Sequence, residues 1–127
     1  MNTEKPMVIM LDNDYLFLES WRETLGESVD FVGLKSQLEL ELRLDRGTEL
    51  LKAKCAIVDF DFGEHEGNAG ETGIVDFLRR SGFKGKIVMC SIHKDFGEYD
   101  EQIRTEFDAV IKKKPLSWND LSKTIGI

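Results

Sequence analysis

The stretch KCAIVDFDFGEHEG, residues 54–67, sets the apolar run Cys55, Ala56, Ile57 and Val58 directly against two aspartates, Asp59 and Asp61. An ionised carboxylate is costly to take out of water unless a counter-charge or a metal meets it, so acids at the tip of an oily strand point either to solvent or to a cation. A two-acid turn by itself is most simply a solvated turn. Here other reactive residues occupy the same place on other apolar runs. MVIML (7–11) leads into Asp12, Asn13 and Asp14, KIVMC (86–90) into Ser91, Ile92 and His93, and DAVIK (108–112) into Lys113, Lys114 and Pro115.

That set suits phosphoryl transfer to a carboxylate. An aspartate can attack phosphorus when a divalent cation screens its charge and that of the phosphoryl oxygens. Mg²⁺ takes carboxylate and carbonyl oxygens and keeps several waters, so Asp12, Asp59 and the backbone carbonyl of Asp61 are suitable ligands. A serine hydroxyl and a lysine would hold the remaining phosphoryl oxygens.

The elements that must position these residues alternate along the chain. The runs 7–11, 29–34, 55–60, 86–90 and 108–112 are short, mostly continuous and rich in Val and Ile, as in strands covered on both faces. Between them stand helical patterns. Leu16, Phe17, Trp21 and Leu25 carry helix spacing with Gly26 as a stop; Ile74, Val75, Phe77 and Leu78 form a stripe ending at Gly82; Tyr99, Ile103 and Phe107 follow at i, i+4, i+8. Ser117, with Asp120 three residues on, opens the last helix like a capping box. In SQLELELRLDRGTELLKAK the leucines alternate as in a strand, yet Ser36 and Glu39 form a helix start and TELLKAK is helical, so the segment is read as helix. Five strands alternating with five helices imply an α/β fold with one doubly wound parallel sheet. Ligands of such sheets bind beyond the carboxyl ends of the strands, where the reactive residues fall.

Composition bounds the rest. A chain of 127 residues with 41% hydrophobic content suits one domain with a sizeable core. Its net charge of −7, from 24 acids against 17 Lys and Arg, argues against nucleic acid or an anionic membrane as partner. No export signal or membrane span is read in the sequence, which gives a cytoplasmic expectation. Cys55 opens one strand run and Cys90 closes another, so as parallel neighbours their sulfurs lie about 15 Å apart and form no disulfide. Trp21, Phe31, Phe77 and Phe83 read as core aromatics, and Trp118 as either core or partner contact.

With these residues in view, the chain resembles the receiver (response-regulator, chemotaxis-regulator-like) domains of two-component signalling over essentially its whole length. That family has an acidic pair after its first strand, a phosphoacceptor Asp after the third, Ser or Thr after the fourth and Lys-Pro after the fifth. Here these fall on Asp12 with Asn13, on Asp59, on Ser91, and on Lys114 with Pro115. The resemblance implies a flavodoxin-like fold with strand order 2-1-3-4-5 and a single receiver domain over 1–127. It also implies Mg²⁺ as cofactor, a sensor histidine kinase or phosphotransfer protein as donor, a downstream effector protein, and a cis bond before Pro115. Such a domain is a phosphoacceptor rather than an enzyme, with at most self-catalysed phosphorylation and dephosphorylation.

The departures are specific. Asn13 stands where a second acid is common; it can bind the metal through a water, and Asp14 is the residue placed to compensate. Counting back from Leu121 favours Lys114 as the functional lysine, whereas counting forward along DAVI allows Lys113. Ile92 and His93 follow Ser91 and would modulate access, and strand five offers Val110 and Ile111 but no aromatic. The 63–72 loop is long; Glu64, His65 and Glu66 with His93 could bind a transition metal, but a surface insertion is the preferred reading. Two other functions stay open: a pseudo-receiver that binds protein without being phosphorylated, and a phosphatase resembling the haloacid dehalogenases. The second fits VDFDF, but its nucleophile normally follows the first strand.

Overall fold

The computed structural model describes residues 5–60, 73–92 and 100–127. Five parallel strands, β1 (Met7–Leu11), β2 (Asp30–Leu34), β3 (Cys55–Asp59), β4 (Lys86–Ser91) and β5 (Ala109–Lys112), form one sheet in the order β2-β1-β3-β4-β5. Five α-helices alternate with them: α1 (Tyr15–Leu25), α2 (Gln37–Asp45), α3 (Ile74–Arg80), α4 (Asp100–Glu106) and α5 (Trp118–Ile125). This is the doubly wound parallel sheet expected from the alternation of apolar runs, in the flavodoxin-like order that the receiver resemblance implies.

The three central strands, β1, β3 and β4, bury both faces, which explains why their sequences are continuously apolar rather than alternating, while the edge strand β5 leaves Val110 and Lys112 exposed. One layer of core packs Ile9, Leu11, Val58 and Met89 against Leu40 of α2, Leu78 of α3 and Ile103 of α4. The other packs Val8, Met10, Ile57 and Ile111 against Trp21 of α1 and Leu121 of α5. Trp21 and Phe83 are buried, Phe31 lies at the edge of burial, and Phe77 is partly buried, so the four aromatics serve the core. Trp118 is half-buried against the second layer. Cys55 and Cys90 are free and buried at opposite ends of the paired β3 and β4, where burial pushes each thiol up to about 12.

The helix signals act as read. Gly26 ends α1 at φ 61, a conformation costly to residues with a Cβ. Ser117 accepts the Asp120 N–H at 3.2 Å. Ser36 accepts the Glu39 N–H at 3.1 Å while the Glu39 carboxylate accepts the Lys35 N–H, a variant of the reciprocal capping box. The helix that Ser36 starts is shorter than expected. It stops at Asp45, and after Gly47 the chain re-forms only a 3₁₀ turn, Glu49–Lys52, because Leu50 must drop into the core ahead of β3. No helix among the described residues is long and apolar enough to cross a membrane.

Candidate functional site

β1 is followed by β2 on one side of it and β3 on the other, so the switch point of strand order lies between β1 and β3. Asp12 and Asp59 stand there. Leu11 pairs with Val58, which places Asp12 and Asp59 next along the two strands, and the Asp12 N–H donates to the Leu34 carbonyl at 3.1 Å, prolonging the ladder with β2. Both carboxylates are buried, Asp12 at 0% exposure and Asp59 at 1%.

Strand parity decides which other side chains join them. Val8, Met10 and then Asp12 point to the α1/α5 layer, as do Cys55, Ile57 and then Asp59. On β5 the same parity runs Ala109, Ile111, Lys113. The Lys113 N–H donates to the Ser91 carbonyl at 3.0 Å, so the pairing with β4 continues past Lys112 and holds this parity. Lys113 Nζ accordingly lies 3.0 Å from Asp59 Oδ1 and 3.4 Å from Asp12 Oδ2. It also lies 4.8 Å from the centre of the Phe17 ring on α1, within cation–π range.

The lysine at the carboxylates is therefore Lys113. Lys114, favoured by counting back from the last helix, is exposed, and it has the opposite parity. The bond before Pro115 is likewise trans: no described peptide bond is cis. Trans is the favoured form of an X–Pro bond, and the bend after β5 is closed by the Lys114 N–H donating to the Lys112 carbonyl at 2.8 Å.

Asp14 is occupied elsewhere. Its Oδ1 accepts the N–H groups of Leu16 at 3.0 Å and Phe17 at 3.4 Å, capping α1, while its own N–H donates to Asp12 Oδ1 at 2.8 Å. Asp14 thus orients Asp12 through its backbone and offers no third inward carboxylate. Asn13 is exposed. Ser91 is buried at the end of β4, paired with Lys112, and Ile92 after it is 72% exposed. Asp61, His93 and the 63–72 loop, with Glu64, His65 and Glu66, lie outside the described residues. Among the described residues no group of three metal-ligating side chains gathers.

Among the described residues, the site sets two inward carboxylates beside one ammonium. Burial raises the Asp12 pKa above its ordinary value, and the Asp14 N–H and the Lys113 ammonium only partly offset this. For Lys113 burial acts downward, but the hydrogen bond and attraction of Asp59, with the added attraction of Asp12, raise its pKa overall. Asp12 Oδ2 is buried without a hydrogen bond, facing Lys113 only at ion-pair distance. Both inward carboxylates thus contact the Lys113 ammonium.

No protein-family profile matches the chain, and no curated protein does. Solved structures match over nearly its full length. A CheY-like response regulator receiver domain from Methanospirillum hungatei JF-1 superposes with a TM-score of 0.72 at 17% identity, covering 97% of this chain and 92% of that one. A receiver domain from Clostridium thermocellum gives 0.70 at 15% identity, covering 95% and 91%. The chain has the receiver-domain fold. A third match, a response regulator from Burkholderia pseudomallei solved with a phosphorylated aspartic acid, a calcium ion and citrate, gives 0.69 at 11% identity, covering 94% and 66%.

Phe17 and Cys90 are the site residues that the sequence reading did not single out. In the sequence Phe17 is one member of a helix stripe and Cys90 a core thiol. Cys90 is the register partner of Asp59, and the charge of Asp59 adds to burial in raising its pKa. The signal for Lys113 was present in strand parity from Ile111, and Phe17 follows from α1 lying over the same face.

Proposed function

We propose that this chain is a single receiver domain in which Asp59 accepts a phosphoryl group from a histidine kinase or phosphotransfer protein. The observation that carries the reading is the pair of buried carboxylates, Asp12 and Asp59, at the switch point of the sheet with the Lys113 ammonium between them. A carboxylate oxygen of Asp59 forms the new P–O bond as the donor's P–N bond breaks, and the electron pair leaves on the imidazole nitrogen. Lys113 is placed to follow the charge from carboxylate to phosphoryl oxygens, and Ser91, one residue beyond the partner of Asp59, is the nearby hydroxyl.

The donor set fits Mg²⁺. The inward carboxylates of Asp12 and Asp59 are hard oxygen ligands, and Asp12 Oδ2 is buried without a hydrogen bond. Asp12 and Asp59 would hold the ion, with Asn13 reaching it through a water and the Asp61 carbonyl completing the set. When bound, the metal screens the approach of anionic phosphate to an anionic nucleophile.

A pseudo-receiver is the second reading, favoured by Asp14 being spent on the helix cap and Asn13 supplying no charge. The phosphatase reading gains nothing from this sheet, since Asp59 follows the third strand and Asp12 the first. Intact mass after incubation with Mg²⁺ and acetyl phosphate separates the three. The addition of one phosphate, absent in Asp59→Asn, supports the receiver; an unchanged mass supports the pseudo-receiver; steady turnover of phosphomonoesters supports the phosphatase.

A further inference from the structure

The core accounts for only half of the leucines in QLELELRLD. Leu40 is buried and Leu44 packs partly against the core, an i, i+4 pair that anchors α2. Leu38 and Leu42 are the other i, i+4 pair, and they stand 62% and 49% exposed. A surface helix ordinarily turns polar residues outward. α2 turns a second apolar stripe outward instead, which is why its sequence mimics a strand.

These leucines are not isolated surface hydrophobes, which would need no explanation. They form one wall of a groove of about 540 Å³ whose other side is built from Leu51 in the 3₁₀ turn, Phe77 of α3 and Ser81 at the end of that helix. Glu41 and Asp45 line the same groove from α2. Leucines at i, i+4 beside a hydrophobic trough form the receiving half of helix-in-groove recognition.

We propose that the α2–α3 groove docks an amphipathic helix of a partner protein, with an apolar face of Leu-like side chains and Lys or Arg along its flanks. The acidic lining selects the basic flanks. A second copy of this chain is the wrong occupant: docking the same groove on itself would set Glu41 and Asp45 against their own copies, on a chain of net charge −7. The groove belongs to a different face of the molecule from the Phe17–Lys113 contact, so the proposal does not depend on phosphorylation of Asp59.

The probe is a synthetic amphipathic Leu/Lys helix, with a Leu/Glu helix of the same apolar pattern as its counterpart, titrated into labelled protein and followed by amide NMR. The Leu/Lys helix is expected to saturate, with shifts centred on Leu38, Leu42, Leu51 and Phe77, and to weaken as salt rises. The double variant Leu38→Ser, Leu42→Ser should keep the wild-type thermal midpoint, since both side chains are exposed, and lose about tenfold or more in affinity. Glu41→Lys with Asp45→Lys should transfer the preference to the Leu/Glu helix. Three results overturn the proposal: shifts spread without saturation over other acidic surface, equal binding of both helices by the wild type, or self-association that the Leu38→Ser, Leu42→Ser variant abolishes.

Discussion

Lys113 Nζ lies 3.0 Å from Asp59 Oδ1 and 3.4 Å from Asp12 Oδ2, one ammonium held between two buried carboxylates from different strands. The arrangement ties the end of β5 to the ends of β1 and β3 across β4. Removing the shared cation leaves both acids in a low-dielectric setting with less compensation.

Lys113→Met retains most of the apolar stem and deletes the charge. It is expected to lower stability by about 3 kcal/mol, read as a shift of the urea midpoint. Lys114→Met changes an exposed side chain and should stay within about 0.5 kcal/mol. Equal losses in the two variants would remove Lys113 from its assigned place.

The contrast between these lysines shows how far the sequence carried. The strand–helix alternation, the helix caps at Ser36 and Ser117, and the placement of Asp12, Asp59 and Ser91 at the ends of β1, β3 and β4 were legible because each follows from a local rule: strand continuity, capping chemistry and strand-end placement. The sheet order came with the receiver resemblance. The lysine stayed open between Lys113 and Lys114 because counting back from the last helix favours Lys114, whereas pairing extends from β5 to the Lys113 N–H and makes alternation the governing rule. Asp14 was ambiguous for a different reason. A carboxylate after a strand is equally a ligand and an N-cap, and only the bonds to Leu16 and Phe17 decide between them. The second leucine stripe of α2 was visible as alternation but was weighed only as strand against helix.

Asp12→Asn is expected to stabilise the protein by about 1 kcal/mol at neutral pH, as functional sites commonly sacrifice stability. The Asn side-chain oxygen can still accept the Asp14 N–H, and Lys113 keeps Asp59. The pH dependence has a definite sign. Burial raises the Asp12 pKa above its ordinary 3.8, so the folded state binds the proton more tightly, and the Asp12 penalty is absent below 3.8 and grows as pH rises through the folded value. The advantage of the variant should therefore shrink as pH falls toward 3.8. Lys113 acts at the other end: its stabilising effect is intact below its ordinary 10.5 and is lost as pH rises through its raised folded value. Urea midpoints of the two proteins across this range provide the check. A variant advantage that grows on acidification would contradict the account.

Asn13→Asp should tighten Mg²⁺ binding about tenfold, or about 1.4 kcal/mol, by adding a carboxylate beside Asp12 that the Asp14 cap does not supply. Asp14→Ala should cost about 1 kcal/mol of stability through loss of the α1 cap. It should weaken Mg²⁺ binding less than Asp12→Asn does. Titration followed by NMR reads the metal affinities and thermal melts read the cap. If Asp14→Ala abolishes metal binding while Asp12→Asn spares it, the roles given to the two residues are reversed.

Phosphorylation should be felt along two routes, because the site touches two neighbours. New negative charge on Asp59 draws in the Ser91 hydroxyl and shifts the segment that begins at Ile92, and it also draws Lys113 away from Asp12. Lys113 sits over Phe17, so its displacement alters the field and packing at α1, while the chain after Lys113 leads through Leu116 to Trp118 at the start of α5. With no aromatic on β5 to swing inward, the two states should differ modestly, with a partner affinity ratio of about tenfold. Amide and indole shifts with beryllofluoride and Mg²⁺ are expected to change at Ser91, Ile92, Phe17 and Trp118, and Lys113→Met should silence Phe17 while leaving Ile92 responsive. Perturbations confined to Asp12 and Asp59 would mean that the charge is absorbed at the site, and the pseudo-receiver reading would then be preferred.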